Sequence, residues 1–206
     1  DEYYAELGAR TRKPILIYHI PGRAAVSIEL DTLVRIAQRV PNLVGMKHAV
    51  NDLDLVSDAL EALGPEFRIH VGLEALSFPM LCLGASGMMN AVGNLAPRHV
   101  SRLYEAVAAG QLEAARALHF ELLELNRAIF FDTNPIPLKY MMTRMGLLER
   151  NEHRLPMVPA VNFFDDREVA PALLSRKGRS VRSGLALVRR SIDMPAALPL
   201  LLLLIG

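Results

Sequence analysis

A single lysine stands at the end of an apolar run in "LVGMKHAV", residues 43–50. Leu43, Val44 and Met46 read as a buried strand, and no acidic residue adjoins Lys47. Two readings stay open. A strand-end lysine can snorkel to water along its own methylenes. Alternatively, an amine held in a desolvated site has its neutral form favoured and attacks carbonyl carbon. Tyr18 sits in the same way at the end of "ILIYHIP". A strand tyrosine is ordinarily packing with a hydrogen-bonded tip. On a strand neighbouring that of Lys47, about 4.8 Å away, its phenol could relay the protons that imine formation requires.

Other candidates are weaker. "GLEALS" and "GASG" lack the spacing of a phosphate loop or a dinucleotide fingerprint. The six histidines never approach metal-ligand spacing, so no metal site is expected. Asp52 and Asp54 read as helix-start acids, favoured by the helix dipole.

The elements that must position Lys47 and Tyr18 alternate. After Pro14, "ILIYHIP" is a strand stopped by Pro21-Gly22. "SIELDTLVRIAQRV" has helical spacing, with Ser27 as N-cap. "LVGMK" is the next strand. "NDLDLVSDALEAL" is a helix capped by Asn51 or Asp52. "FRIHVG" is a third strand, "EALSFPMLCLG" a short helix interrupted by Pro79, and "SGMMNAV" a fourth strand ending near Gly93. Strand and helix thus alternate four times, which predicts a parallel sheet, because parallel strands need crossover connections. From Pro97 to about Gly146 three helices follow, the third with Asn134 as cap and Pro135 in its first turn. The organisation expected is residues 1–95 as the β/α part, 96–160 as a helical segment, and 161–206 as an irregular tail.

Composition narrows the function. The 206 residues are 51% hydrophobic and carry a net charge of +1. That balance offers no electrostatic case for nucleic acid. The apolar end "LPLLLLLIG" falls short of the roughly 20 residues of a membrane span. A membrane-surface role for the tail is the weakest option. The single cysteine, Cys82, lies in "FPMLCLG" and is expected to be a buried, inert thiol in a reducing, cytoplasmic setting.

"YHIPGRAAVSI", followed after a helix by "LVGMKHA", resembles the signature of the dihydrodipicolinate synthase and N-acetylneuraminate lyase superfamily. "VGLEALSFPMLCLGASGMMNAVGNLAP", "NPIPLKYMMTRMGL" and "RLPMVP" resemble later segments of the same superfamily, so that the resemblance covers about residues 10–160. It implies an α/β fold, a partial (β/α)8 TIM barrel holding strands five to eight and a C-terminal helical segment. It also implies a class I aldolase. Lys47 would form a Schiff base with pyruvate or another 2-oxo acid, and Tyr18 would be the proton relay. Arg23 would hold the carboxylate of an aldehyde substrate, since a guanidinium grips a carboxylate bidentately. Gly72 and Met89 would line the 2-oxo-acid pocket. His48, where the synthase branch usually has an acid, is a further substrate-binding candidate. No cofactor is implied, because the imine is the electron sink, and a homo-oligomer is expected. A complete barrel needs about 250 residues. The alternative is therefore a truncated, inactive remnant acting as an interaction or structural fragment.

Overall fold

The computed structural model describes residues 1–160. Its contacts divide the chain into two units. The first comprises Asp1–Asn90 with Ala106–Leu112, and the second Ala91–Glu105 with the residues from Glu113 onward.

The first unit is the alternating one. Helix α1 (Glu2–Ala9) precedes β1 (Ile15–His19). A one-turn helix α2 (Pro21–Ala24) and then α3 (Leu30–Arg39) lead to β2 (Leu43–His48). Helix α4 (Leu53–Leu63) leads to β3 (Arg68–Val71), and a 3-10 turn (Glu74–Leu76) with α5 (Ser77–Cys82) leads to β4 (Gly87–Met88). All pairings are parallel and the order is β1-β2-β3-β4. Each crossover therefore steps to the next strand in the same direction. Right-handed crossovers that never reverse direction place their helices on one face of the sheet. That is barrel-type winding; a doubly wound sheet would reverse at a switch point.

Burial agrees. Strand β1 alternates buried and exposed, with Ile15, Ile17 and His19 inward and Leu16 and Tyr18 outward. Ile17, Met46, Ile69 and Val71 are buried, as are Leu33 and Ile36 of α3 and Val56 and Ala59 of α4. Each large apolar side chain so removed from water contributes about 1.5–3 kcal/mol. The start of β1 is tied down by Ile15 N–H donating to the Asn42 carbonyl at 2.8 Å. The Asn42 side-chain amide in turn donates to the carbonyls of Thr11 and Lys13 at 2.9 and 3.0 Å.

Several local expectations are refined. Asp52, not Asn51, caps α4: its carboxylate accepts from Leu55 N–H at 3.0 Å. Ser27 does not cap α3, which starts at Leu30 with Glu29 in the cap position. Pro79 does not interrupt α5; it is the third residue, where no intrahelical N–H is required. The fourth strand is two residues long, and Val92–Asn94 is a 3-10 turn. Cys82 is exposed rather than buried. Ser77, Met80 and Leu81 form the buried face of α5, and the next residue turns away from it.

In the second unit lie most of α6 (Pro97–Ala108), all but the first residue of α7 (Leu112–Ala128), and α8 (Ile136–Arg144). The N-cap of α8 is Pro135 rather than Asn134. Leu103, Leu122, Ile129 and Leu138 are buried here. The tail expected over 161–206 lies outside the described residues. No described helix is long and apolar enough to cross a membrane.

Candidate active site

The strand pairing brings Tyr18 opposite Lys47, and it does so through an irregularity. Ile15 pairs with Leu43, but Leu16 pairs with Gly45, so Val44 is an extra residue in β2. Without it, Tyr18 would oppose Met46. With it, Tyr18 opposes Lys47 and the two side chains share a face. Leu43 and Met46, three residues apart, are consequently both buried. Gly45 is the residue that permits the bulge. Its φ is +158°, and a Cβ there would lie 1.9 Å from the Arg68 carbonyl oxygen on β3.

The register continues across the sheet. Lys47 pairs with His70, and His70 with Gly87. Tyr18, Lys47, His70 and Gly87 thus form one row, one residue short of the strands' C-terminal ends. The Lys47 Nζ lies 4.1 Å from the centre of the Tyr18 ring. A cation over an aromatic face is held by the ring quadrupole, at about 0.5–1 kcal/mol where exposed. Tyr18 is 49% exposed.

Beyond this row the ladder runs on. Ala49 N–H donates to the His19 carbonyl at 2.9 Å, and Gly72 N–H to that of His48 at 2.8 Å. Met89 N–H donates to the Val71 carbonyl at 2.8 Å. By alternation, Gly72 and Met89 fall on the Lys47 face one step farther along. Gly72 must lack a side chain: a Cβ would meet the Ala49 Cβ at 2.7 Å and the His48 carbonyl oxygen at 2.9 Å.

Two expected site residues stand apart. Arg23 lies on α2, which begins two residues past β1, and is exposed at the C-terminal edge of the sheet. His48 follows Lys47 and so points to the opposite face. There it is fully buried, with its Nδ1 3.2 Å from the Nδ1 of His19. The geometry does not bring His48 to the Lys47 face.

His70 was not singled out by its spacing in the sequence, yet it is the ring in register with Lys47. Burial, the largest influence, pushes its pKa below the ordinary histidine value. Its ring lies beside the backbone of Arg68, whose hydrogen bond favours a proton on it. A neutral imidazole in that place can take or give a proton. Glu74 also escaped notice: it opens the 3-10 turn after β3 and is only 1% exposed. The one available signal was that both lie at the "HVGLE" end of a strand, and pairing register alone gives that signal meaning.

Comparison with known proteins points the same way. The dihydrodipicolinate synthetase family model matches residues 1–170.

This chain belongs to the dihydrodipicolinate synthetase family.

Among curated relatives of this family member, a 4-hydroxy-tetrahydrodipicolinate synthase from Thermus thermophilus is 47% identical over 167 residues, 80% of this chain and 55% of the relative. The solved 4-hydroxy-tetrahydrodipicolinate synthase of Methylacidiphilum fumariolicum SolV superposes with a TM-score of 0.78 at 37% identity, covering 92% of this chain and 61% of that one. The dihydrodipicolinate synthase of Aquifex aeolicus gives 0.77 at 31% identity, covering 85% and 59%. The chain spans about half the length of the curated relatives it matches.

Proposed function

We propose that this chain carries the imine-forming part of a pyruvate-dependent class I aldolase of the dihydrodipicolinate synthase type. Lys47 is the nucleophile and Tyr18 the proton relay. The Lys47 amine adds to the ketone carbon of a 2-oxo acid and water leaves, giving a protonated imine. Loss of a methyl proton gives an enamine, whose carbon forms the new C–C bond with an aldehyde. The lysine imine is the electron sink, so the step needs neither metal nor organic cofactor. Gly72 and Met89 border the 2-oxo acid, and Arg23 meets the carboxylate of the aldehyde partner.

The observation that carries this reading is the Lys47 Nζ 4.1 Å from the Tyr18 ring centre, at the C-terminal end of parallel strands. In parallel β/α barrels that end is where chemistry is done. On this reading the four strands are the last four of eight. The remaining β/α units would come from a longer chain, and the whole enzyme would be a cytoplasmic homo-oligomer.

The chain is incubated with pyruvate and borohydride, digested, and examined by mass spectrometry. A reduced pyruvyl adduct on Lys47, absent without pyruvate, is expected. A folded chain without adduct at Lys47 would overturn the reading. The 49% exposure of Tyr18 favours a second one, a non-catalytic fragment whose site is incomplete. That fragment gives no adduct until the missing half is co-expressed.

A further inference from the structure

Behind the Tyr18–Lys47 pair, on the helix-covered face, His19 and His48 meet. His19 is 4% exposed and His48 fully buried, and their Nδ1 atoms lie 3.2 Å apart. Each directly follows one member of the front pair, and His19 is in register with His48 as Tyr18 is with Lys47. One backbone group sets the protons of both rings. The N–H of Ile28, which can only donate, points at His19 Nε2 at 3.2 Å. Ser27 Oγ lies at 3.2 Å from the same nitrogen. His19 Nε2 is therefore an acceptor, and the neutral ring carries its proton on Nδ1. That Nδ1–H donates to His48 Nδ1, which leaves the His48 proton on Nε2. The His48 ring also has backbone hydrogen-bonding groups of Asp52 and Val50 beside it, which favour a proton there.

We infer that His19 and His48 are positioning residues: a neutral histidine pair of opposite tautomers that locks β1 to β2 behind Tyr18 and Lys47, ties down the segment after Arg23, and opens on protonation. This rests on the reading of Lys47 as the imine-forming lysine. Any added proton breaks a bond. On His19 Nε2 it displaces the Ile28 donor; on His48 Nδ1 it displaces His19. Burial is the main influence opposing a proton on each ring, and for His48 the adjacent His19 adds to it. Favouring the proton are the backbone groups of Asp52 and Val50 on His48, the Asp52 carboxylate, at the start of α4, on both rings, and Glu29, before α3, on His19. The pair is thus poised to open in acid, releasing Ile28 and loosening the Tyr18–Lys47 register together.

The full chain, labelled with 15N, tests this by nuclear magnetic resonance. Expected are an Nδ1–H ring for His19 and an Nε2–H ring for His48. As the pair titrates in acid, the amides of Tyr18, Lys47 and Ile28 should shift with its midpoint, and Ile28 should lose exchange protection. Two rings of the same tautomer, or amides indifferent to that midpoint, would overturn the inference. In pyruvate–borohydride labelling, H48L should slow adduct formation by roughly tenfold or more through misplacement alone. H48N, whose amide oxygen can accept in place of Nδ1, should restore most of the rate. Equal loss in H48N and H48L, or none in H48L, counts against positioning. A wild-type chain that forms no adduct, alone or with the remaining β/α units co-expressed, refutes Lys47 as nucleophile, and the resonance arm then decides the histidine pair alone.

Discussion

Lys47 holds its amine 4.1 Å from the centre of the Tyr18 ring because one extra residue in β2 brings the two side chains to the same face. The contact involves the ring and the amine. The phenol oxygen, which the chemistry needs, is a separable part of the same residue. K47R keeps a cation over the ring but offers no amine, so it should yield no borohydride-trapped adduct while unfolding at an unchanged urea midpoint. Y18F keeps the ring and loses the hydroxyl. Its adduct should still form, slowed by on the order of 10²-fold or more if proton relay is lost. Single-turnover labelling followed by mass spectrometry separates the two variants.

Gly45 and Gly72 are the positions where backbone meets backbone. At Gly45 a methyl group would stand 1.9 Å from the Arg68 carbonyl oxygen, inside a central pairing of the sheet. At Gly72 the nearest obstacles are the Ala49 Cβ at 2.7 Å and the His48 carbonyl oxygen at 2.9 Å. G72A should destabilise by about 1–3 kcal/mol, the usual cost of overpacking, and G45A by at least as much. Urea unfolding followed by circular dichroism gives both numbers. A neutral G45A would mean that the bulge does not depend on glycine.

His70 is in register with Lys47 and is held neutral by burial. H70L keeps the volume and removes the proton carrier. Trapping of the imine at Lys47 should persist, while the later proton transfer from the substrate methyl group slows by on the order of 10²-fold. Exchange of the pyruvate methyl hydrogens for deuterium, read by proton resonance, isolates that step. Unaltered exchange in H70L would assign His70 to packing.

Stability should fall in acid. Burial is the leading cause that lowers the pKa of His19, His48, His70, His99 and His119 from the ordinary 6.5. A histidine depressed in the folded state leaves the unfolded chain holding more protons between its folded pKa and 6.5. Stability is thus fully present above 6.5 and is lost as the pH drops through the folded values. Urea midpoints taken in steps from about pH 8 down to about pH 5 should decline monotonically. A midpoint that rises over this range would contradict the burial of these rings.

Asp52 has two separable roles. Its side chain caps α4 through Leu55 N–H, and its charge favours protonated His19 and His48. D52A should cost about 1 kcal/mol through loss of the cap. D52N keeps an acceptor and removes the charge, so the histidine midpoints should move further down with little loss of stability. Histidine titrations of D52N, set beside urea melts of both variants, distinguish cap from charge.

Much of the scaffold was legible in the primary structure. Apolar runs, the first closed by Pro21-Gly22, alternate with stretches of helical spacing closed by Pro41 and Gly64-Pro65, and such alternation leaves parallel pairing as the workable arrangement. The lysine and tyrosine stood out because each closes an apolar run, where local pattern is strong evidence. Cys82 misled because "FPMLCLG" is apolar on average, while the burial of α5 follows its 77, 80, 81 face.

Chain order alone therefore determined the alternation, the parallel sheet and the two residues near the ends of its neighbouring strands, because these depend on patterns local in sequence. Which side chains meet was decided only in three dimensions. The sequence singles out His48 and passes over His70, yet His48 backs onto His19 and His70 is in register with Lys47. The face a strand residue takes has a period of two, so one added residue inverts it. That residue, Val44, reveals itself only through pairing with β1, a strand nearly thirty positions away.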